Sequence, residues 1–311
     1  MLDWSIAKGR LWQLLNYFMV DTGRSENTII LSGSGRSGTT WVEELLNVDN
    51  DYRMMFEPFH NGKIAALKRW QYKQYLRPGQ SYPMMRPEIE RILAGKIRHR
   101  WIDKFNRKIF ADKRILKDIR ANLFLAWLRE EFPQIPQLLL LRHPCPVASS
   151  QLKLNWPTGI DTYFEQPELI EDHLRPFLDL RDTSDHFERH LVSWCIENYV
   201  PLRQLRPGDA LVLFYEHICL DPAGEMDRIA TFLGRSFSGD IVSAASIPSN
   251  MSQADSTILY GAAGPLSWRR SLSAERQETA SHLLARFGLN KIYGDDGMPV
   301  VDSDSAIGAL G

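Results

Sequence analysis

Between residues 27 and 47 the chain reads NTIILSGSGRSGTTWVEELLN, and the turn at its centre constrains the fold more than any other stretch. Thr28 to Leu31 is an apolar run of strand type, and Thr40 to Leu46 carries apolar residues at helical spacing, so the glycines fall at a strand-to-helix turn. Gly33, Gly35 and Gly38 let the backbone curl with its N–H groups pointing inward, and the following helix adds the positive end of its dipole. An anion is the natural guest of such a turn. Against the triphosphate-binding pattern GxxxxGK[ST], residues 33 to 40 read GSGRSGTT, with Thr39 in the lysine position and Arg36 placed earlier. The residue central to holding a metal-bound triphosphate is therefore missing. A glycine turn serving packing alone is the competing reading of these residues.

Further strands are expected at YRMMF (52 to 56), RILKD (114 to 118), QLLLLR (137 to 142) and ALVLF (210 to 214). Helices are expected at 122 to 132, 186 to 205 and 223 to 234, the last stopped by Gly234, and residues 63 to 110 read as helical with a break at RPGQSYP, 77 to 83. Strands alternating with helices predict a three-layer αβα fold with a central parallel sheet, like that of P-loop NTPases. Ligands collect at the carboxyl ends of such strands, where the loop, Glu57, Lys117 and Arg142 all fall. No linker or internal repeat divides the chain. One domain is expected over residues 1–294, with a helical extension over 1–26 and a flexible tail over 295–311.

With 311 residues, 44% of them hydrophobic and 24% charged, the chain can bury a large core and is not of disordered type. Cys145, Cys195 and Cys219 are far apart and form no CxxC pair, so neither a disulfide framework nor a zinc site is indicated. No apolar run is long enough for a transmembrane segment, and a cytoplasmic protein is expected. The N-terminal LWQLLNYFMV reads as an amphipathic helix packing on its own domain, with a membrane surface as the alternative. Charge is uneven. Lys63 to Arg120 holds 17 Lys and Arg against 5 Asp and Glu, a surplus of 12 in a chain whose net charge is −1. That surplus alone is weak ground for a polyanion partner, and no nucleic acid is expected.

A second informative segment, LLLLRHPCPVASSQ, delivers Arg142 from a buried strand and places Ser150 eight residues later on the next helix. A guanidinium fork and a hydroxyl at this spacing suit a second phosphate; an arginine ion-paired at a strand end is the plainer alternative. On these two segments the sequence resembles the sulfotransferases that use 3′-phosphoadenylyl sulfate (PAPS). SGSGRSGTTW resembles their 5′-phosphosulfate loop, and LLLRHPCPVASS their 3′-phosphate motif. ALVLFYEHICLDP and GPLSWRRSLSAE are weaker matches to later family segments.

The resemblance implies that Ser34, Gly35, Arg36, Ser37, Gly38, Thr39, Thr40 and Trp41 hold the phosphosulfate. Arg142 and Ser150 would hold the 3′-phosphate, with Arg269 and Arg270 closing over the cofactor. It also implies transfer of a sulfuryl group to a hydroxyl without a metal, leaving adenosine 3′,5′-bisphosphate.

MMFEPFH resembles the FEP segment of carbohydrate sulfotransferases. The resemblance implies Glu57 as the base, a role that suits a carboxylate with raised pKa at a strand end, with His60 the competing base and a helix cap or ion-paired carboxylate the plainer reading of Glu57. It favours a carbohydrate or glycoconjugate as acceptor, and by analogy with phosphoryl transfer Arg36 and Lys117 are the charge-stabilising residues. An acidic glycan or lipid-linked hydroxyl falls within that class. The RKG segment and the histidine context of the cytosolic small-molecule branch are absent. His186 and His190 have ligand spacing but no third partner and read as a solvated helix face, while Glu216 is expected to satisfy turn amides. The rival functions are a nucleotide kinase of P-loop type and a non-catalytic binder of nucleotide or polyanion.

Overall fold

The computed structural model of the chain describes residues 19–249, 251 and 264–311. Strands β1 (Val20–Asp21) and β4 (Phe110–Ala111) pair in parallel as a small ribbon. The strands β2 (Thr28–Gly33), β3 (Arg53–Phe56), β5 (Arg114–Asp118), β6 (Gln137–Leu141) and β7 (Leu211–Phe214) form one parallel sheet in the order β3-β5-β2-β6-β7. The main helices are α1 (Thr39–Leu46), α2 (Arg86–Leu93), α3 (Leu125–Glu131), α4 (Pro144–Lys153), α5 (His186–Gln204), α6 (Tyr215–Leu220), α7 (Pro222–Leu233) and α8 (Ala274–Arg286).

Strand alternation sorts the core into two layers. Ile29, Leu31, Leu138, Leu140, Leu211 and Leu213 face α1, α6 and α7. Ile30, Leu139, Leu141, Val212 and Phe214 face the opposite layer, built from α3, α4, α5 and α8. Both faces are covered, as the expected αβα architecture requires, and this explains why β6 is apolar at nearly every position. Truncating such a residue, as in Leu139→Ala, would cost about 2–5 kcal/mol.

The topology also selects a place for a ligand. From β2 the chain passes through α1 to β3 on one side of the sheet, whereas from β6, the neighbour of β2, it passes through α4 and α5 to β7 on the other. The crevice beyond the carboxyl ends of β2 and β6 is thus the switch point of the sheet.

Three expectations need correction. Residues 63 to 110 are mostly turns around one α-helix, α2. Pro78 and Pro83 with Gly79 and Gly95 interrupt the helical ladder, Pro87 sits in the first turn of α2, and Ile64, Leu67, Trp70, Tyr75 and Leu76 anchor the turns in the core. The expected flexible tail is docked: Tyr293 bridges to Pro299, Ala306 and Ile307 are buried, and Arg203 donates to the Leu310 carbonyl at 3.0 Å. Its Gly and Asp residues form turns. Of the expected N-terminal helix, residues 1–18 lie outside the described residues, and 19–26 hold β1 and the start of a 3-10 turn, Ser25–Asn27.

At the amino ends of the strands two buried arginines close a polar cluster. Arg53 donates to Asp103 and Asp21, both at 2.9 Å, and to the Gly95 and Ile97 carbonyls, both at 2.7 Å. Arg114 pairs with Asp21 and donates to Thr28 Oγ1 at 2.9 Å and to the Arg24 carbonyl.

Candidate active site

The turn from β2 into α1 is shaped by its glycines. Gly38 adopts φ +101°, and a Cβ there would stand 2.7 Å from the Tyr215 ring, so no side chain fits. Helix α1 starts without a side-chain cap, which leaves its first amides to serve a ligand. Arg36 also lies in the left-handed region, at φ +74°, a strained conformation for a side-chain-bearing residue. The loop is held from behind: Gln151 donates to the Gly35 carbonyl at 2.8 Å, and Asn198 to Ser34 Oγ at 3.1 Å.

Around this turn opens a cavity of about 440 Å³, within the range of small-ligand sites. Gly35, Arg36, Gly38, Thr39, Thr40 and Trp41 line it from the loop and α1; Phe56, Glu57, Lys117 and Ile119 from β3, β5 and their turns; Arg142 and Ser150 from β6 and α4. The segments expected to converge do so. Ser34 and Ser37 are buried behind the loop and do not reach the cavity lining.

Arg142 stacks on the Tyr215 ring, 4.0 Å from its centroid, and donates to the Arg36 carbonyl at 3.4 Å. Its Nε is buried and has no hydrogen-bond partner among the described residues. A partnerless guanidinium N–H at a cavity wall is a costly arrangement unless a ligand completes it. Ser150 accepts from Arg36 Nε at 3.1 Å, so the side chain of the first motif reaches across to the second. Glu216 accepts from the His143 amide and the Tyr293 hydroxyl, each at 2.9 Å, and thereby fixes the turn after β6, the structural task expected of it.

At the other corner the Glu57 carboxylate is clamped between Lys117 at 3.1 Å and Arg120 at 2.8 Å. Asp118 shapes this corner by accepting from the amides of Phe59 and Arg120, both at 2.7 Å. Glu57 itself has φ +45°. Burial acts to raise its pKa, but Lys117 and Arg120 together prevail and hold it down at about 2. The expected raised pKa gives way to a lowered one, because two cations clamp the carboxylate and favour its ionised form.

His60, the competing base, lies outside the cavity lining. Its Nδ1 accepts from the Gly62 amide at 3.2 Å, which assigns the ring proton to Nε2, and burial with the nearby Arg120 lowers its pKa to about 4.

The late segment approaches the cavity differently from expectation. A 3-10 turn, Ser267–Arg270, has three residues per turn, so Trp268 and Ser271 share the face that lines the cavity, together with Ser267. Arg269 donates instead to the Asp295 carbonyl, at the surface, and Arg270 is exposed; neither lines the cavity. His143 stacks on Trp268, with ring centroids 4.5 Å apart, and ties this segment to the second motif.

Of the helical histidines, His190 is buried, not solvated, because α5 turns that face into the core. Tyr215, Arg120 and Trp156 were not singled out by the sequence. Arg120 could have been, standing three residues after Lys117 in a strand-end segment, but Tyr215 and Trp156 reach the loop only through tertiary packing.

A parallel sheet thus carries a glycine-rich loop and Arg142 on one cavity at its switch point. The family model described as "Sulfotransferase family" matches residues 28–239, and the chain belongs to that family. Among solved structures it is similar to a sulfotransferase domain from the curacin biosynthetic pathway, at 14% identity and TM-score 0.43 over 82% of this chain and 97% of that one. A sulfotransferase from Alicyclobacillus acidocaldarius is similar at 15% identity and TM-score 0.41, covering 84% and 95%. A mouse sulfotransferase complexed with PAP is similar at 15% identity and TM-score 0.42, covering 90% and 88%. No curated protein matches.

Proposed function

We propose that this sulfotransferase takes its sulfuryl group from PAPS and delivers it to a hydroxyl of a carbohydrate or glycoconjugate. The observation that carries the reading is the arrangement of Arg142, with its unpartnered Nε, and Ser150 on the same cavity as the glycine loop and Glu57. PAPS supplies a sulfuryl group that passes in line to the acceptor oxygen, leaving adenosine 3′,5′-bisphosphate and a sulfate ester.

In this reading the loop amides, Thr39 and Thr40 hold the 5′ end of the donor, and Arg142 with Ser150 holds its 3′-phosphate. Arg36 and Lys117 offset charge on the leaving phosphate and on the oxygens of the transferring group, and the work of the site is positioning and charge stabilisation. Glu57 accepts the acceptor's proton. A carboxylate with a pKa of about 2 is a weak base, yet it is always ionised, and an alcohol oxygen becomes strongly acidic as it bonds to the sulfuryl group. Lys117 and Arg120 fix the orientation of that carboxylate.

The FEP resemblance favours a sugar, and the half-exposed Trp156 offers an apolar plate beside the loop: a Cβ on Gly35 would stand 2.6 Å from its indole. The kinase alternative fares worse. Among the described cavity-lining residues Glu57 is the one carboxylate, and its partners are Lys117 and Arg120, which leaves it poorly placed as a ligand for the magnesium of a triphosphate. The test is transfer of label from sulfur-labelled PAPS to a panel of sugar, lipid and phenolic hydroxyls in the presence of a chelator. Labelled sugar ester is expected; a strict magnesium requirement with phosphoryl transfer from ATP would replace this reading with the kinase one.

A further inference from the structure

The basic surplus between Lys63 and Arg120 is not absorbed by the cavity. Within it Arg114 is consumed by Asp21, and Arg77, Arg86, Arg91 and Lys113 are paired with surface carboxylates. Lys96, Arg98, Arg100 and Arg107 are exposed and Lys108 half-buried, all without an ion pair among the described residues. Of these, Lys96, Arg107 and Lys108 stand at the β1–β4 ribbon. The Lys96 side chain lies 3.5 Å from where a Gly23 Cβ would stand, and Arg107 and Lys108 lead directly into β4.

The ribbon carries an apolar face at the centre of these cations. Its register pairs Val20 with Phe110, which puts both side chains on one face, while the inner face directs Asp21 to the buried arginines. Val20 is 52% exposed, Phe110 61% and the adjoining Ile109 46%. Glu26 and Asp112 are the only exposed carboxylates in segments 19–27 and 94–113.

We propose that this face docks on an anionic lipid bilayer, with Phe110, Ile109 and Val20 entering the interface and Lys96, Arg107 and Lys108 meeting the head groups. A soluble polyanion would use the cations but give the three apolar side chains no partner. A second copy of the chain would bring like charges together. The segment holding these residues also flanks the edge of the sheet: the Phe56 amide donates to the Ile102 carbonyl at 2.8 Å, and Trp101 packs edge-on against Phe56, which lines the cavity.

The test is co-sedimentation of the full chain with vesicles of phosphatidylcholine alone and of an equimolar phosphatidylcholine–phosphatidylglycerol mixture. Binding to the mixture and not to phosphatidylcholine is expected. It should fall at least about tenfold in a double variant, Ile109→Ser with Phe110→Ser, and in another, Arg107→Glu with Lys108→Glu. Both pairs lie on the surface, and an unchanged melting temperature establishes that the variants fold. Absence of sedimentation with either vesicle overturns the proposal. So does vesicle binding that persists in Ile109→Ser with Phe110→Ser and is displaced by heparin, which would mark a general polyanion surface. Neither result bears on the donor or on sulfuryl transfer.

Discussion

The two ends of the same sheet use arginine in opposite ways. At the amino ends Arg53 and Arg114 are fully buried and given to carboxylates, carbonyls and a threonine hydroxyl, so their charge is spent on holding β1, β3 and β5 together. At the carboxyl ends Arg142 keeps a buried, partnerless Nε and leans on an aromatic ring, while Lys117 and Arg120 share one carboxylate. A fully satisfied cluster stabilises a fold; an under-satisfied one leaves hydrogen-bonding capacity at the cavity wall.

The strongest way to sharpen this contrast is Glu57→Gln, which keeps the shape of the clamp and removes its proton acceptor. Turnover should fall by about 10²–10⁴-fold with affinity for adenosine 3′,5′-bisphosphate nearly intact, read by steady-state kinetics and calorimetry. Near-normal turnover would remove Glu57 from the chemistry.

At the other end, Arg114→Met leaves Asp21 short of a buried partner and should cost about 3–5 kcal/mol in denaturant unfolding. The same change at Arg142 should cost about 1 kcal/mol or less. Similar losses at both sites would break the comparison.

The acid side of the pH profile distinguishes the two candidate bases. Glu57 has its folded pKa depressed from 4.5 to about 2, so the stability it contributes is present above pH 4.5 and is lost as pH falls through about 2. If Glu57 is the base, kcat should show no acid limb at pH 4 or above; a limb near pH 4, where burial places His60, would reassign the role.

A smaller effect concerns Glu43, buried in α1 with neither carboxyl oxygen hydrogen-bonded, its pKa raised by desolvation to about 8. Its folded pKa lies above the unfolded value, so it is neutral in the fold, and keeping it so costs more as pH climbs from 4.5 towards 8. Glu43→Gln should add roughly 1–3 kcal/mol at pH 7 and little at pH 4, read from melts at the two values. An equal effect at both pH values would contradict this.

What the sequence disclosed and what it withheld follow from the range of the forces involved. The loop, β6, Arg142 and Ser150 were legible because glycine spacing, strand pattern and the offset to the next helix are local properties. The role of Tyr215 was not, since it exists only because Gly38 has no side chain and β7 ends beside β6. The ionisation of Glu57 was misjudged for a similar reason. Burial was readable from a strand end, but the two cations that outweigh it meet there only through the turn that Asp118 ties. Arg269 and Arg270 are ligands by family resemblance alone, whereas the 3-10 geometry turns Trp268 inward in their place.

The most direct measurement of the central claim is calorimetric titration of the protein with adenosine 3′,5′-bisphosphate and with 5′-AMP, repeated on Arg142→Ala. If Arg142 and Ser150 hold a 3′-phosphate, the bisphosphate should bind more tightly by about 1.5–3 kcal/mol for each hydrogen bond to the charged group, and Arg142→Ala should erase most of that difference. Equal affinity of the wild-type protein for the two nucleotides would contradict the assignment of this cavity to PAPS.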